Sequence, residues 1–450
     1  MIFRSAKPHT LAALMLAGLL GGCATYRAQP LASQPAVLTG PTLSELASAP
    51  GREYLKPVTI DLAQPLDGNA IATLAVIANP DLKAQRVQAK VSDAQIFQAG
   101  LLPDPTFNAG EDVLLSGPDR LNNLTAALGF DLNALRKRGV TLARQKAAGR
   151  QVRYDLAWAE WQTSGQARLQ GVRILALQRQ LEIDRTSRDA LEALLAQTEK
   201  ALKSGDQSAD QAQTAQTAAL DADDRFNTTE RGLAAAHFEL NRLLGMPPAT
   251  EVSLAPVTFP QAPPDAARLY DMALRHRADL AALREGYAAQ ESAVRGAVMD
   301  QFPALNLTVT ATRDTTGNTT LGPAVDLTLP LWNRNRGGIA VETATREQLK
   351  AEYDARLFQT RADIAAAVDD IVIARQQRQR LLDALPAEQA VAESSARAAR
   401  SGDVAVSTAE TTEQVVRDGL SQLSRAEQDI AELTISLELL TGTPQEEWTQ

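Results

Sequence analysis

The chain of 450 residues repeats itself at a nearly constant offset, and this constrains its fold more than any single motif. The repeated stretches are NPDL at 79–82 and RADL at 277–280, Pro105 and Pro303, SGD at 204–206 and 401–403, and LLG at 243–245 with LTG at 440–442. The first two pairs are 198 residues apart, and the last two are 197 residues apart. Four landmarks at nearly one offset predict two structural repeats, at 67–250 and 251–450.

Each repeat has the same predicted order of elements: a helix, two strands, a very long helix, a turn at Ser-Gly-Asp and a returning helix. The first helices are predicted at about 70–101 and 267–300. No proline occurs between Pro118 and Pro247, so a helix from about Gly139 to Leu202 is expected to run unbroken. Its apolar stripe is expected to pack on neighbouring helices. In the second repeat, Pro386 predicts a break in the corresponding helix.

The strands alternate with a period of two, as in LNLTVTATRD at 305–314 and in the stretches 124–133 and 325–331. Two strands per repeat give four per chain, and an open sheet edge in hydrocarbon leaves backbone groups unpaired. Because a membrane barrel needs at least about eight strands, two or three copies would have to close it. The apolar face would then meet lipid, and the predicted lumen residues are Asn306, Thr308, Thr310, Asp131 and Asp326. A soluble sheet packed against helices is the alternative.

The N-terminus has the pattern of a secretory signal peptide, predicted at 1–22. Arg4 and Lys7 precede an apolar run from Leu11 to Leu20, which is too short to span a bilayer. The stretch LGGC at 20–23 resembles a bacterial lipobox, which implies a covalent lipid on Cys23; an incidental thiol is the alternative. Since Ala24 follows this cysteine where an inner-membrane lipoprotein usually has Asp, the outer membrane is favoured. Six prolines in 23–66 predict a lipidated, extended N-terminal arm.

These features together resemble the TolC family of outer-membrane efflux channels, in its lipoprotein branch. The resemblance covers 67–445 and rests on NPDL, DPTF, SGD and LLGMPP in the first repeat and on RADL, FPAL, DLTLPLWNRNRGG, SGD and LLTGTP in the second. It implies a mainly α fold with a membrane β-barrel portion, built as a homotrimer whose 12-strand barrel continues into a 12-helix periplasmic α-barrel. It also implies that Pro330 turns barrel into helix. The first repeat has Ala134 and Leu135 near that point, which predicts a looser turn there.

Four acidic residues lie near the predicted hairpin tips: Asp206, Asp210, Asp403 and Glu410. The resemblance implies that the tunnel closes at these tips, where a trimer would turn each residue into a ring of three like charges. Such rings select for cations. Asp206 and Asp403 have a second interpretation as helix N-caps, a role that Ser208 and Thr408 fit equally well.

The remaining sequence features exclude several classes of function. A net charge of -9 without a basic cluster gives no surface for nucleic acid. His237 and His276 are far apart and have no cysteine near them, so no metal site is expected. No cofactor beyond the covalent lipid is expected, and since no catalytic or phosphate-binding motif occurs, the chain is predicted not to be an enzyme.

The resemblance predicts the outer-membrane channel of a tripartite export system. Its partners would be a periplasmic adaptor protein, an inner-membrane transporter and outer-membrane lipid, and it would give small molecules or ions a passive exit duct. The alternatives are a duct for type I protein secretion, a periplasmic coiled-coil adaptor lipoprotein and, third, a lipid-anchored enzyme.

Overall fold

The computed structural model describes residues 26–37, 42–43, 59–256, 263 and 265–448. The predicted signal peptide and Cys23 lie outside the described residues. Residues 26–37 are exposed and contain no helix or strand. The rest of the described chain belongs to a second compact unit, in which two short strands, β1 (Thr42–Leu43) and β2 (Thr59–Ile60), pair antiparallel.

Two successive sets of elements follow, and the fold is mainly helical. The first set is α1 (Gly68–Ala78), α2 (Pro80–Gly100), β3 (Thr106–Asp112), β4 (Asn123–Asp131), α3 (Leu132–Ser204) and α4 (Ala209–Leu243). The second set is α5 (Ala266–His276), α6 (Ala278–Met299), β5 (Ala304–Arg313), β6 (Thr319–Thr328), α7 (Arg336–Ser401) and α8 (Val406–Thr441). A short 3₁₀ helix, Gln445–Glu447, comes last. No helix among the described residues is both long and apolar enough to cross a bilayer.

Each repeat begins with two helices, where the sequence predicted one. Asn79 ends α1 and also caps α2, because its side chain accepts a hydrogen bond from the Leu82 amide at 3.0 Å. Pro80 takes the first helical position, where its missing N–H costs nothing. In the second repeat Arg277 stands at the same place, and its guanidinium pairs with Asp279 at 2.6 Å. The expected helices 70–101 and 267–300 are therefore wrong as single elements.

Equivalent residues build the two hydrophobic cores, so the duplication extends to the packing. In the first core, α1 packs against α3 and α4 through Ile71, Ala75, Ala167, Ile174 and Leu240. Their counterparts in the second core, 197 or 198 positions later, are Leu269, Ala273, Ile364, Ile371 and Leu437. The chain entering the first repeat joins the first core as well, since Ile60 and Leu66 are buried there.

The long helices differ from the prediction at two points. α3 has 73 residues and begins seven positions before Gly139. α7 runs through Pro386 from Arg336 to Ser401, so the predicted break is wrong. Proline removes one backbone hydrogen bond from the helix. The neighbouring Leu385 is buried against Gly419 of α8, which has no side chain and so leaves room for the leucine. Packing on α8 therefore holds the helix together across the proline.

The four longer strands form one antiparallel sheet in the order β3-β4-β5-β6. The β3–β4 hairpin of the first repeat and the β5–β6 hairpin of the second meet where β4 pairs with β5. β3 and β6 are the outer strands, and each has a partner on one side only. The predicted strand stretches were too long at one end, because β4 ends at Asp131 and β6 ends at Thr328.

The two repeats join strand to helix differently. In the first, α3 begins at Leu132, directly after β4, so the looser turn expected there is wrong. In the second, the seven residues Leu329–Asn335 separate β6 from α7 and include Pro330. These seven residues account for the difference in length between α3, with 73 residues, and α7, with 66.

Candidate functional site: the sheet faces and the hairpin tips

The strand register brings three of the predicted lumen residues into one row. Asn306 lies opposite Asp131 on one side and opposite Asp326 on the other. All three are exposed at the end of the sheet from which α3 leaves. The row thus places two carboxylates and an amide together on the polar face.

Farther along the polar face, the predicted lumen threonines lie beside very small residues. Thr308 is opposite Gly129 and Ala324, and Thr310 is opposite Ala127 and Gly322. Both threonines are half-buried. Because these neighbours are small, their side chains do not cover the two threonines on this face.

The opposite face of the sheet is apolar and open. Leu307 lies between Phe130 and Val325, and Val309 lies between Leu128 and Pro323. At the edge strand, Phe107 is 70% exposed. No residue of the four strands β3–β6 is buried, whereas a soluble sheet packed on helices would bury one face. The described strands therefore give no support to the soluble-sheet alternative.

The Ser-Gly-Asp turns at the far ends of α3 and α7 have nearly the same geometry. Gly205 and Gly402 end the two helices in the left-handed conformation, with φ of 81° and 83°. Asp206 accepts a hydrogen bond from the Ser204 hydroxyl at 2.7 Å, and Asp403 accepts one from Ser401 at 2.6 Å. Each aspartate thus closes its own turn.

The helix caps after these turns are other residues, so the cap interpretation of Asp206 and Asp403 is wrong. Ser208 caps α4 in a capping box with Gln211, in which each side chain accepts from the other residue's amide. Ala405 precedes α8 and has no side-chain acceptor, while Thr408 lies inside that helix. The Ser-x-x-Gln spacing in the sequence indicates the capping box of α4. The sequence gives no comparable signal that α8 begins without a side-chain cap.

The two remaining acidic candidates have different surroundings. Asp210 is exposed in the first turn of α4. Glu410 forms an ion pair with Arg417, which lies seven residues farther along α8. The side chains of Glu410 and Arg417 are only 16% and 10% exposed. The two residues are therefore not equivalent within one chain.

Two hydrogen-bond chains that the sequence analysis missed connect the hairpins of the two repeats. Arg417 donates to the Gln414 side chain, whose carbonyl also accepts from the Ser187 hydroxyl of α3 at 2.9 Å. Farther along, Ser421 of α8 donates to Gln180 of α3 at 2.7 Å. Gln180 in turn donates to the buried carboxylate of Asp184. The Thr229 hydroxyl of α4 completes this chain by donating to Asp184 at 2.7 Å.

A groove of about 660 Å³ lies between the two hairpins near their tips. Apolar residues of α3 line one part of it, including Leu191 and Leu194, and Glu410 lines another. Among the described residues no cluster of three His, Cys, Asp or Glu side chains could hold a metal ion.

At the other end of the sheet, aspartates accept hydrogen bonds within the β5–β6 loop and between it and the β3–β4 loop. Between β5 and β6, Asp314 accepts bonds from the side chains of Thr316 and Asn318 and from their amides, which lower the pKa of its carboxyl to about 2. Thr315 donates to Asp119 of the β3–β4 loop at 2.5 Å. These loops are therefore held in place by short polar contacts.

Two further groups have perturbed pKa values in the helical part. Burial raises the pKa of Asp155, and the negative charge of Asp279 adds to this. Burial lowers the pKa of His237, against the opposite effect of Glu251. Each shift thus has burial as its largest cause, modified by one neighbouring carboxylate.

Comparison with known proteins agrees with this geometry. Residues 269–443 match the model of a family described as outer membrane efflux protein. VceC, an outer membrane protein of Vibrio cholerae, is 16% identical with a TM-score of 0.69, over 84% of this chain and 96% of that one. The CmeC outer membrane channel of Campylobacter jejuni is 13% identical with a TM-score of 0.69, over 93% and 95%.

A third structure is the open state of the MtrE outer membrane channel of Neisseria gonorrhoeae, at 14% identity and a TM-score of 0.64, over 92% and 97% of the two chains. No curated protein sequence matches the chain significantly. At these identities the likeness shows the fold. Together with the family match over 269–443, it confirms the sequence resemblance to TolC-like outer-membrane efflux channels.

Proposed function

We propose that this chain, which has the fold of outer-membrane efflux channels, is the outer-membrane component of a tripartite export system and forms a passive exit duct. The observation that carries the proposal is the sheet β3–β6, which has one open apolar face, one polar face and two unpaired edges. Such a sheet is stable in a bilayer only when its edges are paired.

Copies of the same chain are the natural partners of the two edges. Because strand direction alternates across the sheet, the free edge of β6 can pair antiparallel with the free edge of β3 of the next copy. Two copies give eight strands and three give twelve. The similarity to the efflux channels favours a homotrimer with a 12-strand barrel.

The helices have the same lateral order as the strands. α2 packs on α3, α3 on α6, and α6 on α7, so α2 and α7 are the outer members of the row. In a trimer, twelve such helices would continue the barrel as a tube. Leu307 and Val309 then face lipid, and the row of Asp131, Asn306 and Asp326 faces water.

The proposal places the barrel in the outer membrane and the hairpin tips in the periplasm. Cys23, after removal of residues 1–22, would carry the lipid. A periplasmic adaptor protein would bind the helical tube, and an inner-membrane transporter would supply energy and select the small molecules or ions that are exported. The chain itself would perform no covalent chemistry.

Reconstitution tests this function directly. The protein purified from outer membranes should have the mass of three chains under native conditions and should open water-filled conductances in planar bilayers. Export should also fail in a strain that lacks the gene and return on complementation. A folded, monomeric protein that never conducts would overturn the proposal.

A further inference from the structure

The segment Leu329–Asn335 is specific to the second repeat and is unusually exposed. At the equivalent positions of the first repeat, 197 residues earlier, the chain is already helical from Leu132. The exposed fractions are 58% for Leu329, 63% for Leu331 and 88% for Trp332. A tryptophan so open to solvent is rare, because its large apolar ring gains most from burial. The described part of the chain therefore leaves the apolar side chains of this segment uncovered.

The C-terminal end of the segment has an unusual backbone conformation and is anchored to its own repeat. Arg334 and Asn335 have φ values of 48° and 51°, in the left-handed region that most side chains avoid. The Asn335 side chain donates a hydrogen bond to the Ala297 carbonyl of α6 at 2.9 Å, which ties the end of the segment to its own repeat. Trp332 thus lies on a loop whose C-terminal end is anchored to α6.

Sheet topology determines what lies beside this segment in a closed barrel. Strand direction alternates across the sheet, so the end of β6 and the beginning of β3 lie at the same end. Pairing the free edge of β6 with β3 of the next copy brings Leu329–Asn335 next to the residues just before Thr106 of that copy. This end is the one from which α3 and α7 continue.

The residues just before β3 are exposed and complementary to the segment. Phe97, Leu101 and Leu102 are 70%, 53% and 66% exposed, and Asp104 is exposed as well. Arg334 is also exposed, so it is free to pair with an acidic residue of another copy. One surface thus has apolar residues next to a positive charge, and the other has apolar residues next to a negative charge. Such complementary pairs of surfaces are typical of protein interfaces.

We propose that Leu329–Asn335 packs against residues 97–104 of the neighbouring copy, with Trp332 on Leu101 and Leu102 and Arg334 beside Asp104. This clasp rests on the proposed channel function and gives the seven extra non-helical residues of the second repeat a role. β4 and α3 lie in the middle of the row of elements and have neighbours from their own chain on both sides. Their junction needs no such segment.

Cysteine cross-linking tests the clasp. Trp332→Cys combined with Leu102→Cys should give covalent dimers and trimers on mild oxidation, because a disulfide forms only when the two Cα atoms lie within about 7 Å. The matched control is Leu135→Cys with Leu102→Cys, since Leu135 is the exposed counterpart of Trp332 in the first repeat. This pair should give no species larger than one chain, and neither should Trp332→Cys alone.

Lipid is the competing occupant of the segment, and a second measurement distinguishes it. If Trp332 faces the bilayer, brominated phospholipids should quench the fluorescence of the native trimer more than that of Trp332→Phe. The clasp predicts equal fractional quenching in both. Cross-linking without this quenching supports the clasp, and quenching by lipid without cross-links overturns it.

Failure of the clasp is separable from failure of the channel. A wild-type protein that forms conducting trimers but gives no cross-links in the double variant loses only the clasp. A wild-type protein that forms no trimer loses both proposals. Trp332→Ala should also lower the temperature at which the trimer dissociates in detergent, while Leu135→Ala should change it much less.

Discussion

Asp131 ends β4 opposite Asn306 and also caps α3, because its carboxylate accepts a hydrogen bond from the Ala134 amide at 2.8 Å. One side chain therefore belongs to the polar row of the sheet and to the first turn of the longest helix. The position of the row relative to the helical part is fixed within the chain itself.

The lipid-facing role of the sheet predicts a difference between adjacent residues of β5. Leu307→Arg should destabilise the membrane-inserted protein by about 2–4 kcal/mol if the residue lies near the bilayer midplane, whereas Thr308→Arg should cost little. Thr308→Arg should instead change the single-channel conductance, because it adds a charge to the lumen. Planar-bilayer recordings and thermal dissociation of the trimer measure both effects. Equal damage at the two positions with no change in conductance would contradict a membrane strand.

The hairpin tips predict an effect on ion selectivity. If the tunnel of the proposed trimer closes at these tips, Asp210→Asn with Glu410→Gln should reduce cation selectivity and weaken block by multivalent cations, since six carboxylates would be lost there. Single-channel recordings measure this. Unchanged block and selectivity in an intact trimer would exclude these carboxylates from the gate.

The two single variants should differ. Glu410→Gln removes the carboxylate that neutralises the largely buried Arg417, which should destabilise the α7–α8 hairpin by roughly 1–3 kcal/mol. Asp210→Asn changes an exposed side chain and should leave stability unaltered. Thermal unfolding followed by circular dichroism separates the two effects.

The predicted lipid anchor is tested at Cys23. Cys23→Ser should abolish acylation and leave the signal peptide uncleaved by the lipoprotein peptidase. Export should be partly retained, because acyl chains are a weak tether compared with a closed barrel. Palmitate labelling followed by immunoprecipitation measures the modification, and label that persists in the variant would contradict the lipobox.

Substitutions at Gly205 and Gly245 should distinguish the cost of a left-handed backbone from the cost of a steric clash, because both glycines have positive φ but only Gly245 is closely packed. Gly205 has φ of 81° and open space around its Cα, so Gly205→Ala should cost roughly 1–2 kcal/mol for the left-handed conformation alone. Gly245 has φ of 63°, but an added Cβ would lie 2.4 Å from the Ala78 carbonyl oxygen. Gly245→Ala should therefore cost roughly 1–3 kcal/mol more. Melting temperatures of the two variants provide the comparison; equal shifts would mean that the backbone near Ala78 yields freely.

The loop between β5 and β6 should open in strong acid. Because the folded pKa of Asp314 is about 2, below its ordinary value of 3.8, its stabilising effect is present above pH 3.8 and is lost as the pH falls through 2. Hydrogen-exchange protection of the Thr316 and Asn318 amides should follow this pattern. Asp314→Ala should show the low protection at every pH, and protection in the wild type that is constant down to pH 1 would contradict the assignment.

Much of this architecture was predictable because it repeats. The period-two alternation of β5 and the shared offset of the landmarks gave the order of elements in both repeats. The split at Asn79 also had a visible signal, since Asn before Pro is a common helix start. At Arg277 no such signal exists, and only the duplication could have indicated the boundary.

The contacts between the repeats were not predictable. Ser187 and Gln414 are 227 positions apart, and their hydrogen bond depends on how far α8 is shifted along α3. Amphipathic spacing determines which face of a helix is covered but leaves that shift undetermined. The continuous helix at Pro386 was missed for a related reason, because packing against α8 outweighed a local preference.

The direct junction of β4 with α3 has a mechanical consequence. No residue between Asp131 and Leu132 is free to change its backbone angles independently, so a rotation of α3 about its axis is transmitted to β4. Seven residues separate β6 from α7, and the first five, which precede the anchored Arg334 and Asn335, can absorb the same rotation before it reaches the strand. A rotation of α3 should therefore reach the sheet, whereas a rotation of α7 should be taken up within Leu329–Asn333.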